Sequence, residues 1–462
     1  NNNYLINNNN IFNPNNNLGN NNNQLVPSIP QNNFNRFIAN NNNIMNQIQF
    51  PLQNLNNNMP FILMNNNMPN NNMNINNQAL GFNNNQNNSN NNIIQKQNSV
   101  IQINYPHLIG LQNIGQTCYM NSTLQCLSNI SELSDFLINN FYSFDSNSQP
   151  LSTAYTNLLF KLLFNNENKK YIDPTDFKSI IGDLNPLFQG MQAADSKDLL
   201  FFIIEKLHNE LNISSNNNSN SMPDYNLLEQ EERNEEKMLA NFKQDFSCSN
   251  NSIISNNFYG IMRSIMICKE CNIKKYSFQT FNMQIFILKK LKEDKITDLG
   301  VYYDNKLNLM DAFFYAEKEE LLEGENMIYC NNFHKLTIGT NKQDFYSLPR
   351  ILIIVLNRGK NNSDFNEQFD IPGKIDFTGQ NIILDKTSNM KYHLISVIKH
   401  LGESGSSGHF IAYVREGKSD IFYCYNDAIV SKVKVEDALK QNISIRDNEK
   451  ITPYILFYHC SE

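Results

Sequence analysis

The sequence predicts an α+β domain preceded by a disordered tail, on three observations. Asparagine makes up almost half of the first 100 residues, so residues 1–104 lack the apolar surface that would offset the entropy of ordering them. Apolar side chains then recur with helical periodicity up to residue 211, and short segments rich in Ile, Val, Phe and Tyr follow from Phe258 onward. Helices followed by strands, without a regular repeat, are typical of one α+β domain, here residues 105–462.

Four helices are predicted in the first half of this domain. The first contains Cys118 near its start, because apolar residues follow it at three- and four-residue steps: Leu124, Leu127, Ile130, Leu133 and Leu137. The other three are predicted from the apolar face of each segment and, in one case, from a plausible capping residue. They cover residues 151–164, 173–184 and 195–211.

The second half of the domain is predicted to be built from strands. Residues 212–247 separate the two halves as a polar linker that runs into a charged helix, which is typical of an insertion. Seven segments after it are rich in β-branched and aromatic residues and are bounded by Gly, Asn or Pro. They read FYGIMRSIMIC, KKYSFQTFNMQIFIL, RILIIVLNRG, YHLISVIKHLG, GHFIAYVRE, IFYCYNDAIVSKV and PYILFYH.

Charge and composition exclude several classes of protein. The chain carries 37 basic and 44 acidic side chains, a net charge of −7, which argues against a nucleic-acid partner. No apolar run approaches the roughly 18 residues of a membrane span, and no segment resembles a signal peptide. The eight cysteines are not spaced like a disulfide framework. We therefore expect no membrane partner and a reducing compartment: the cytoplasm, the nucleus or both.

Cys118 is the first candidate catalytic residue. A helix N-terminus favours the thiolate, because unpaired N–H groups and the helix dipole stabilise negative charge there. The preceding segment NIGQT supplies a glycine-bearing turn whose N–H groups can face a developing oxyanion, and Asn113 can add a side-chain donor. The alternative is a buried structural cysteine at a helix start.

His409 is the second candidate, almost 300 residues further along the chain. It follows a Gly/Ser loop and begins an alternating strand. A histidine beside the thiol would deprotonate it and later protonate a leaving amine. The next strand ends in Asn426 and Asp427, either of which can orient the imidazole as the third member of a triad.

Two segments resemble the ubiquitin-specific proteases. GLQNIGQTCYMNSTLQCL is similar to their cysteine box, and YHLISVIKHLGESGSSGHFIAYVR with FYCYNDAIVSKV is similar to their histidine box. The resemblance covers residues 108–459, and both boxes occur in the family's order. It implies a papain-like fold with a helical thumb, a mixed palm and β-rich fingers that grip ubiquitin.

The resemblance also implies a role for each box residue. Cys118 corresponds to the nucleophile, His409 to the general base and acid, and Asn426 to the third triad residue. Asp427 matches an auxiliary acidic position, and Asn113 matches the oxyanion-hole asparagine. The implied activity is hydrolysis of isopeptide bonds at the C-terminal glycine of ubiquitin through a thioester, with ubiquitin and ubiquitinated proteins as partners and no cofactor required for catalysis. An inactive ubiquitin-binding scaffold is the alternative.

The chain departs from the family in the box that precedes its fourth helix. The usual Q-Q-D-A-x-E-F reads QAADSKDLL here, with Ala193 and Ala194 in place of the glutamines. Asp195 matches the box Asp, and Asp198 replaces its Glu. By resemblance these carboxylates would pair with the arginines of the ubiquitin tail. The alternative is an acidic helix N-terminus stabilised by the helix dipole.

A second departure concerns a structural zinc site. Cys268 and Cys271 form a C-x-x-C pair, but the second pair of the family is reduced to Cys330, with Phe333 at the other cysteine's position. His334 is the candidate fourth ligand, and a three-ligand or empty site is the alternative. We interpret three further cysteines as small core residues, namely Cys126, Cys424 and Cys460, and Cys248 as a weak spare metal ligand. Three histidines are interpreted as structural: His208, His393 and His400.

Overall fold

The structure is a computed structural model. It describes residues 105–164, 169–214, 231–300, 303, 306–359, 365, 367–405, 407–440, 442–443 and 450–461. The Asn-rich tail predicted over residues 1–104 lies outside the described residues, as do residues 215–230 of the predicted insertion.

Helices occupy most of the first half of the described chain, as predicted. The first five are α1 (Cys118–Ser128), α2 (Ser131–Asn139), α3 (Pro150–Leu163), α4 (Thr175–Leu184) and α5 (Ser196–Leu211). The later helices are α6 (Glu235–Ser249), α7 (Ile253–Phe258), α8 (Leu288–Leu299), α9 (Leu309–Ala316) and α10 (Val435–Leu439). Helices α7, α8, α9 and α10 were not predicted. All but α8 have eight residues or fewer, and α8 lies in a segment between strands that is rich in charged residues.

Nineteen strands are found in the described residues. Two short ones, β1 (Gly110–Leu111) and β2 (Tyr171–Ile172), lie within the helical half. The next nine are β3 (Gly260–Cys268), β4 (Lys274–Phe281), β5 (Gln284–Ile287), β6 (Leu307–Asn308), β7 (Glu320–Leu322), β8 (Ile328–Cys330), β9 (Lys335–Thr337), β10 (Gly339–Ser347) and β11 (Ile351–Asn357). The last eight are β12 (Phe369–Asp370), β13 (Lys374–Asp376), β14 (Lys391–Ser404), β15 (Ser407–Arg415), β16 (Ile421–Asn426), β17 (Ile429–Lys434), β18 (Asn442–Ile443) and β19 (Lys450–Cys460).

The central sheet has the order β17-β16-β15-β14-β19-β11-β5, with β13 on β14 and β18 on β19. Its pairs are antiparallel except for β11 with β5. Successive side chains of a strand point to opposite faces, so Ile353 and Val355 join one hydrophobic core and Leu352, Ile354 and Leu356 join the other. The sheet is therefore buried on both faces, which explains the continuous apolar run of β11.

Helix α1 lies in the first of these two cores. All eleven of its residues are buried, and it packs against β15 of the sheet as well as against α2 and α5. Its buried hydroxyls are satisfied within the helix: Ser122 donates to the Cys118 carbonyl at 2.9 Å and Thr123 donates to the Tyr119 carbonyl at 2.8 Å. Burial on all sides holds the start of α1 in a defined position against the sheet.

A second, separate sheet has the order β4-β3-β10-β7, and β8 pairs with β9 beside it. Strand β10 was not predicted, because its sequence GTNKQDFYS is largely polar. It forms because it pairs with β3 along most of its length. Arg263 of β3 also binds Asp344 of β10 and Glu235 of α6, which ties the charged helix of the predicted insertion to this sheet.

The predicted α+β class is confirmed, with helices before strands. Three of the four predicted helices begin and end within about two residues of the observed ones, and all seven predicted strand segments form strands. The first, predicted to continue through Leu137, is instead divided into α1 and α2 at residues 129–130. Among the described residues, none of the helices combines the length and the hydropathy that a membrane span requires.

Candidate active site

Cys118 lies at the first position of α1 and is only 8% exposed. The turn before it contains Gly115 and Gln116 with positive φ. Thr117 does not cap the helix with its side chain, because its hydroxyl accepts from the Ile114 N–H and donates to Asn113 Oδ1. The first N–H groups of a helix have no i−4 acceptor. Those of Thr117 and Met120 donate to Asn113 Oδ1 and to the Thr117 carbonyl, so those of Cys118 and Tyr119 can meet an anion.

His409 lies in β15, and its imidazole interacts with the Cys118 side chain. The ring Nε2 lies 2.7 Å from Asn426 Oδ1. Hydrogen bonding to Cys118, and secondarily to Asn426 and the charge of Asp427, raises the pKa of His409 to about 9 against the opposing effect of burial. The ring is therefore protonated at neutral pH, and Nε2–H donates to the Asn426 carbonyl oxygen.

Gly408 is required by the packing around His409. A Cβ at Gly408 would lie 2.2 Å from the His400 ring and 2.3 Å from the Leu401 carbonyl oxygen. Any side chain there would push the β14–β15 hairpin apart and displace His409. This explains why a glycine directly precedes the candidate base.

Asn426 and Asp427 lie at the β16–β17 turn but face different partners. Asn426 binds the imidazole, whereas Asp427 Oδ2 is 3.8 Å from His409 Nε2. The Asp427 carboxylate instead accepts from Asn113 Nδ2 at 2.9 Å and from Asn121 Nδ2 at 2.8 Å. The residues alone allowed either side chain to orient the imidazole, the family resemblance implied Asn426, and the imidazole contact is made by Asn426.

Asn113 is held by hydrogen bonds at both ends of its amide. Its Oδ1 accepts from the N–H groups of Gly115 and Thr117 at 3.2 and 3.1 Å. Its Nδ2 donates to Asp427, which leaves the second amide hydrogen available to another acceptor. Asn113 thus lies beside Cys118 in a fixed orientation, as an oxyanion donor would require.

Strand β1 brings the Asp427 turn against the cysteine loop. The Leu111 N–H donates to the Asp427 carbonyl at 2.9 Å. A Cβ at Gly110 would lie 2.4 Å from the Ala428 carbonyl carbon, so only glycine allows the two backbones to come this close. Asp427 itself has φ +50°, a conformation that Asp tolerates better than most residues.

Asp195 and Asp198 lie at the N-terminus of α5. Asp195 caps the helix by accepting from the Lys197 N–H at 2.8 Å, and both of its oxygens lie 2.8 Å from the Tyr454 hydroxyl. Asp198 is 3.1 Å from Lys197 Nζ. Burial, and secondarily the charge of Asp195, raises the pKa of Asp198. Asp195 is therefore the N-cap of α5, and contact of these carboxylates with a basic peptide stays a prediction.

Three cysteines meet at the second sheet. The Sγ atoms of Cys268, Cys271 and Cys330 lie within 4.8 Å of one another, and those of Cys271 and Cys330 are 3.6 Å apart. Tetrahedral Zn–S bonds place two sulfurs about 3.8 Å apart. Although burial opposes it, hydrogen bonds from the Thr337 hydroxyl and from the Cys271 and Glu270 N–H groups lower the pKa of Cys268 to about 7. The donor set therefore fits zinc with three thiolates.

His334 does not complete this cluster, which corrects the prediction that it is the fourth ligand. Within the described residues, the group whose ligand atoms lie close enough to share a metal contains the three thiols and no imidazole. His334 is exposed and has φ +51°, because residues 331–334 form a turn after β8 rather than a continuing strand. The spare candidate Cys248 is exposed and also lies outside the group.

The remaining cysteines and histidines have structural surroundings. Cys126 and Cys460 are buried in the two cores, and Cys424 packs against the second. His208 binds Ser252 and Asn250, and burial lowers its pKa. Burial also lowers the pKa of both His393 and His400 to about 4.

Three residues that position the site were missed by sequence reasoning. Asn121 binds Asp427, and the Gln116 side chain accepts from the Ala193 N–H at 3.1 Å. Tyr454 binds Asp195 across 259 residues of chain. Only Asn121 gave a usable signal, because it lies on the predicted helix of Cys118 and a buried amide there must find a partner.

Comparison with known proteins identifies the family. The model of the family described as ubiquitin carboxyl-terminal hydrolase matches residues 109–458. Ubiquitin carboxyl-terminal hydrolase 21 of Homo sapiens is 27% identical over 374 residues, which cover 77% of this chain and 62% of that protein. Ubiquitin carboxyl-terminal hydrolase 4 of Vanderwaltozyma polyspora is 27% identical over 399 residues, which cover 77% of this chain and 42% of that protein.

A solved structure shares the fold. It is described as a SAGA DUB module of Ubp8, Sgf11, Sus1 and Sgf73 bound to monoubiquitin, and it aligns with a TM-score of 0.56 at 18% identity, covering 77% of this chain and 70% of that one. The chain spans 42% to 62% of the length of the two relatives above. The match over residues 109–458 confirms the resemblance seen in the two boxes, and the chain belongs to the ubiquitin carboxyl-terminal hydrolase family, as a ubiquitin-specific protease.

Proposed function

We propose that this protein is a thiol-dependent deubiquitinase that hydrolyses the isopeptide bond at the C-terminal glycine of ubiquitin. The observation that carries the proposal is the chain of contacts from the Cys118 sulfur through the His409 imidazole to the Asn426 amide, built at a helix N-terminus. Membership of the family supports it. A nucleophile on an open surface would not enclose the bond to be hydrolysed. Cys118 is instead recessed and only 8% exposed.

In the first step the Cys118 thiolate attacks the carbonyl carbon of the terminal glycine. The His409 ring interacts with the Cys118 side chain, and its hydrogen bond to Asn426 holds the ring in position. The carbonyl oxygen becomes an oxyanion, which the free N–H groups at the start of α1 and the remaining amide hydrogen of Asn113 stabilise. These donors are in place before the substrate binds, so little reorganisation is needed.

In the second step the tetrahedral intermediate collapses and the lysine amine leaves. His409 donates its proton to that nitrogen as the carbon–nitrogen bond breaks, which leaves a thioester on Cys118. Neutral His409 then takes a proton from water, whose oxygen attacks the thioester carbonyl. The carbon–sulfur bond breaks, and the thiolate and the imidazolium are restored.

Ubiquitin and ubiquitinated proteins are the proposed partners. The relatives are named for ubiquitin hydrolysis, and the solved structure of similar fold is described as bound to monoubiquitin. The carboxylates of Asp195 and Asp198 at the N-terminus of α5 offer negative charge to a basic tail. Charge-assisted bonds of this kind would orient the tail toward Cys118.

Cys268, Cys271 and Cys330 would hold a structural zinc ion in the second sheet. The ion would link the end of β3 to the end of β8. These two strands belong to different sheets and are not paired through their backbones. No step of the hydrolysis requires it. In this proposal zinc contributes to the stability of the sheet.

The proposal is tested with ubiquitin that carries an electrophile at its C-terminus. We expect a covalent adduct with the full chain, mapped to Cys118 by mass spectrometry, and none with Cys118→Ser. The matched control is Cys248→Ser, because Cys248 is an exposed thiol elsewhere in the chain. A folded wild-type protein that forms no adduct would contradict the proposal.

An inactive ubiquitin-binding scaffold is the second candidate. The alanines at 193 and 194, in place of the family's glutamines, favour it. His409→Ala separates the two functions, because an enzyme loses turnover but keeps its affinity for ubiquitin. A wild-type protein that binds ubiquitin with no turnover of any ubiquitin conjugate would establish the scaffold instead.

A further inference from the structure

Three large apolar side chains are exposed on segments that meet beside the candidate active site. Leu108, Tyr171 and Ile429 are 52%, 45% and 68% exposed, and we call them the Ile429 surface. Tyr171 pairs with Gly110 in the β1–β2 ladder. Gly110 packs directly on the Ala428 backbone, next to Ile429, and Leu108 lies two residues before Gly110. The close approach at Gly110 therefore brings the three segments together.

Ile429 lies on the catalytic face of its hairpin. It is the cross-strand partner of Asn426, and side chains of directly opposed residues point to the same face of a sheet. The Asn426 side chain reaches His409 on that face. The Ile429 side chain therefore extends the catalytic face beyond Asn426.

The cysteine turn has two different flanks. On one flank Gln116 accepts from the Ala193 N–H, and Met191 packs beside Gly115, so this side carries the loop that ends in Asp195. On the other flank Asn113 binds Asp427, and this side carries the Ile429 surface. One flank of Cys118 thus leads to the carboxylates of Asp195 and Asp198, which makes it the acidic flank, and the other leads to the Ile429 surface.

The chemistry of the bond assigns a different part of the substrate to each flank. The acyl part and the amine part of an isopeptide extend in opposite directions from the reacting carbonyl. A basic ubiquitin tail complements the acidic flank, so the amine part leaves along the other flank. That part is a lysine on the surface of a folded protein, and exposed apolar residues grouped at such a point are typical of protein contacts.

We propose that Leu108, Tyr171 and Ile429 form the contact surface for the protein that carries the modified lysine, through a small apolar patch beside that lysine. This inference rests on the proposed deubiquitinase function and adds a determinant of its specificity. Substrates with a small leaving group cannot use the surface. Substrates whose leaving group is a folded protein gain apolar burial there.

The test compares two substrates on the full chain. One is ubiquitin with an aminocoumarin amide at its C-terminus, and the other is the lysine-linked di-ubiquitin that the wild-type protein cleaves fastest. For Ile429→Ser, we expect the ratio of kcat/KM for di-ubiquitin to kcat/KM for the small substrate to fall about tenfold. Leu108→Ser and Tyr171→Ser are expected to lower the same ratio.

Tyr142→Ser is the matched control, because Tyr142 is 97% exposed and lies just after α2, outside the Ile429 surface. Its ratio is expected to stay at the wild-type value. A ratio that changes less than about twofold in all three variants would overturn the inference while leaving the proposed function intact. Cleavage of the small substrate alone, with every di-ubiquitin left intact, would also count against it.

Failure of the proposed function has a separate signature. In that case the wild-type protein would hydrolyse neither substrate, whatever the state of the surface. Thermal melts establish that each single variant folds. A variant that does not fold is replaced by the Thr substitution at 429, or by Ala at 108 or 171, and the ratio is measured again.

Discussion

Asn113 and Asp427 are 314 residues apart in the chain, yet Asn113 Nδ2 donates to Asp427 Oδ2 at 2.9 Å. The second Asp427 oxygen accepts from Asn121, which is on the same helix as Cys118. One carboxylate therefore connects the cysteine loop, the catalytic helix and the turn that carries Asn426. This relationship makes Asp427 a positioning residue for both halves of the site.

Asp427→Asn should weaken this connection without changing the backbone. Asn adopts positive φ as readily as Asp, but its amide offers one acceptor where the carboxylate offers two. One of the two asparagine donors loses its partner, at a cost of about 2 kcal/mol in unfolding free energy. We expect kcat/KM on ubiquitin substrates to fall on the order of 10-fold to 100-fold, because the nucleophile and the base are no longer held together.

The control for this change is Asp420→Asn. Its carboxylate pairs with Arg415 but is 86% exposed, so neither chemical denaturation nor kcat/KM should change measurably. Equal kinetics for Asp427→Asn and the wild type would show that the carboxylate does not position the site.

The pH dependence of turnover should reflect the raised pKa of His409. The folded pKa of about 9 lies above the ordinary value of 6.5, so the charged ring persists through neutral pH and is lost as the pH rises through about 9. We expect kcat/KM for an aminocoumarin amide of ubiquitin to fall on its alkaline side near that pH. Asn426→Ala removes one interaction that raises the pKa, so the alkaline limb should move to lower pH. An alkaline limb at the same pH in both proteins would contradict this role of Asn426.

Asp195 should affect binding more than chemistry. Asp195→Asn keeps a capping side chain but removes the charge proposed to meet a basic tail. We expect KM for ubiquitin substrates to rise about tenfold, with a smaller change in kcat. Asp195→Ala should additionally lower stability by about 1 kcal/mol, because the cap is lost.

Asp176→Asn is the matched control, because it also removes one carboxylate from the start of a helix. The Asp176 side chain is 85% exposed and forms an ion pair with Lys161. Its KM should equal the wild-type value. If Asp195→Asn leaves KM unchanged as well, the carboxylate serves the fold through Tyr454 and does not contact substrate.

Zinc content tests the cluster of three thiols. Protein prepared with zinc is expected to carry one ion per chain in native mass spectrometry, and Cys271→Ser or Cys330→Ser should lose it. His334→Ala and Cys248→Ser should retain it, because neither side chain belongs to the cluster. A chelator should lower the wild-type Tm by about 5 °C. Loss of zinc in His334→Ala would show that the turn after β8 closes onto the metal.

Glu132 joins the helical layer to the sheet and should give a pH-dependent contribution to stability. Its carboxylate accepts from His459 Nε2 at 2.5 Å and from Arg350 Nε at 3.1 Å. Despite burial, the hydrogen bond to His459 lowers the pKa of Glu132 to about 2. Burial acts to lower the pKa of His459, but its hydrogen bonds to Cys460 and Glu132 outweigh that effect and raise the His459 pKa to about 10.

The sign of each shift defines the pH range. The Glu132 contribution is present above its ordinary pKa of 4.5 and is lost as the pH falls toward 2. The His459 contribution is present below its ordinary pKa of 6.5 and is lost as the pH rises toward 10. Glu132→Gln should therefore destabilise the protein by about 2 kcal/mol near pH 6 and by much less near pH 10. Urea denaturation at both pH values measures this difference, and an equal loss at both would refute it.

The order of elements and the candidate pair Cys118 and His409 were open to prediction because their signals are local. Apolar periodicity depends on neighbours within one or two turns, so the four helices and seven strand segments could be predicted. Glycines beside Cys118 and His409 likewise mark tight backbone geometry within a few residues. The fold class and the family follow from such segments in sequence order.

The sequence by itself determined which residue types stand at Cys118, His409 and the Asn426–Asp427 pair. Only the tertiary structure decided that Asn426 binds the imidazole while Asp427 binds two asparagines, that Tyr454 binds Asp195, and that His334 turns away from the thiols. Each of these contacts depends on the register between strands or on a turn that joins distant segments. Such pairings are set by packing across the whole domain, and no local pattern of residues encodes them.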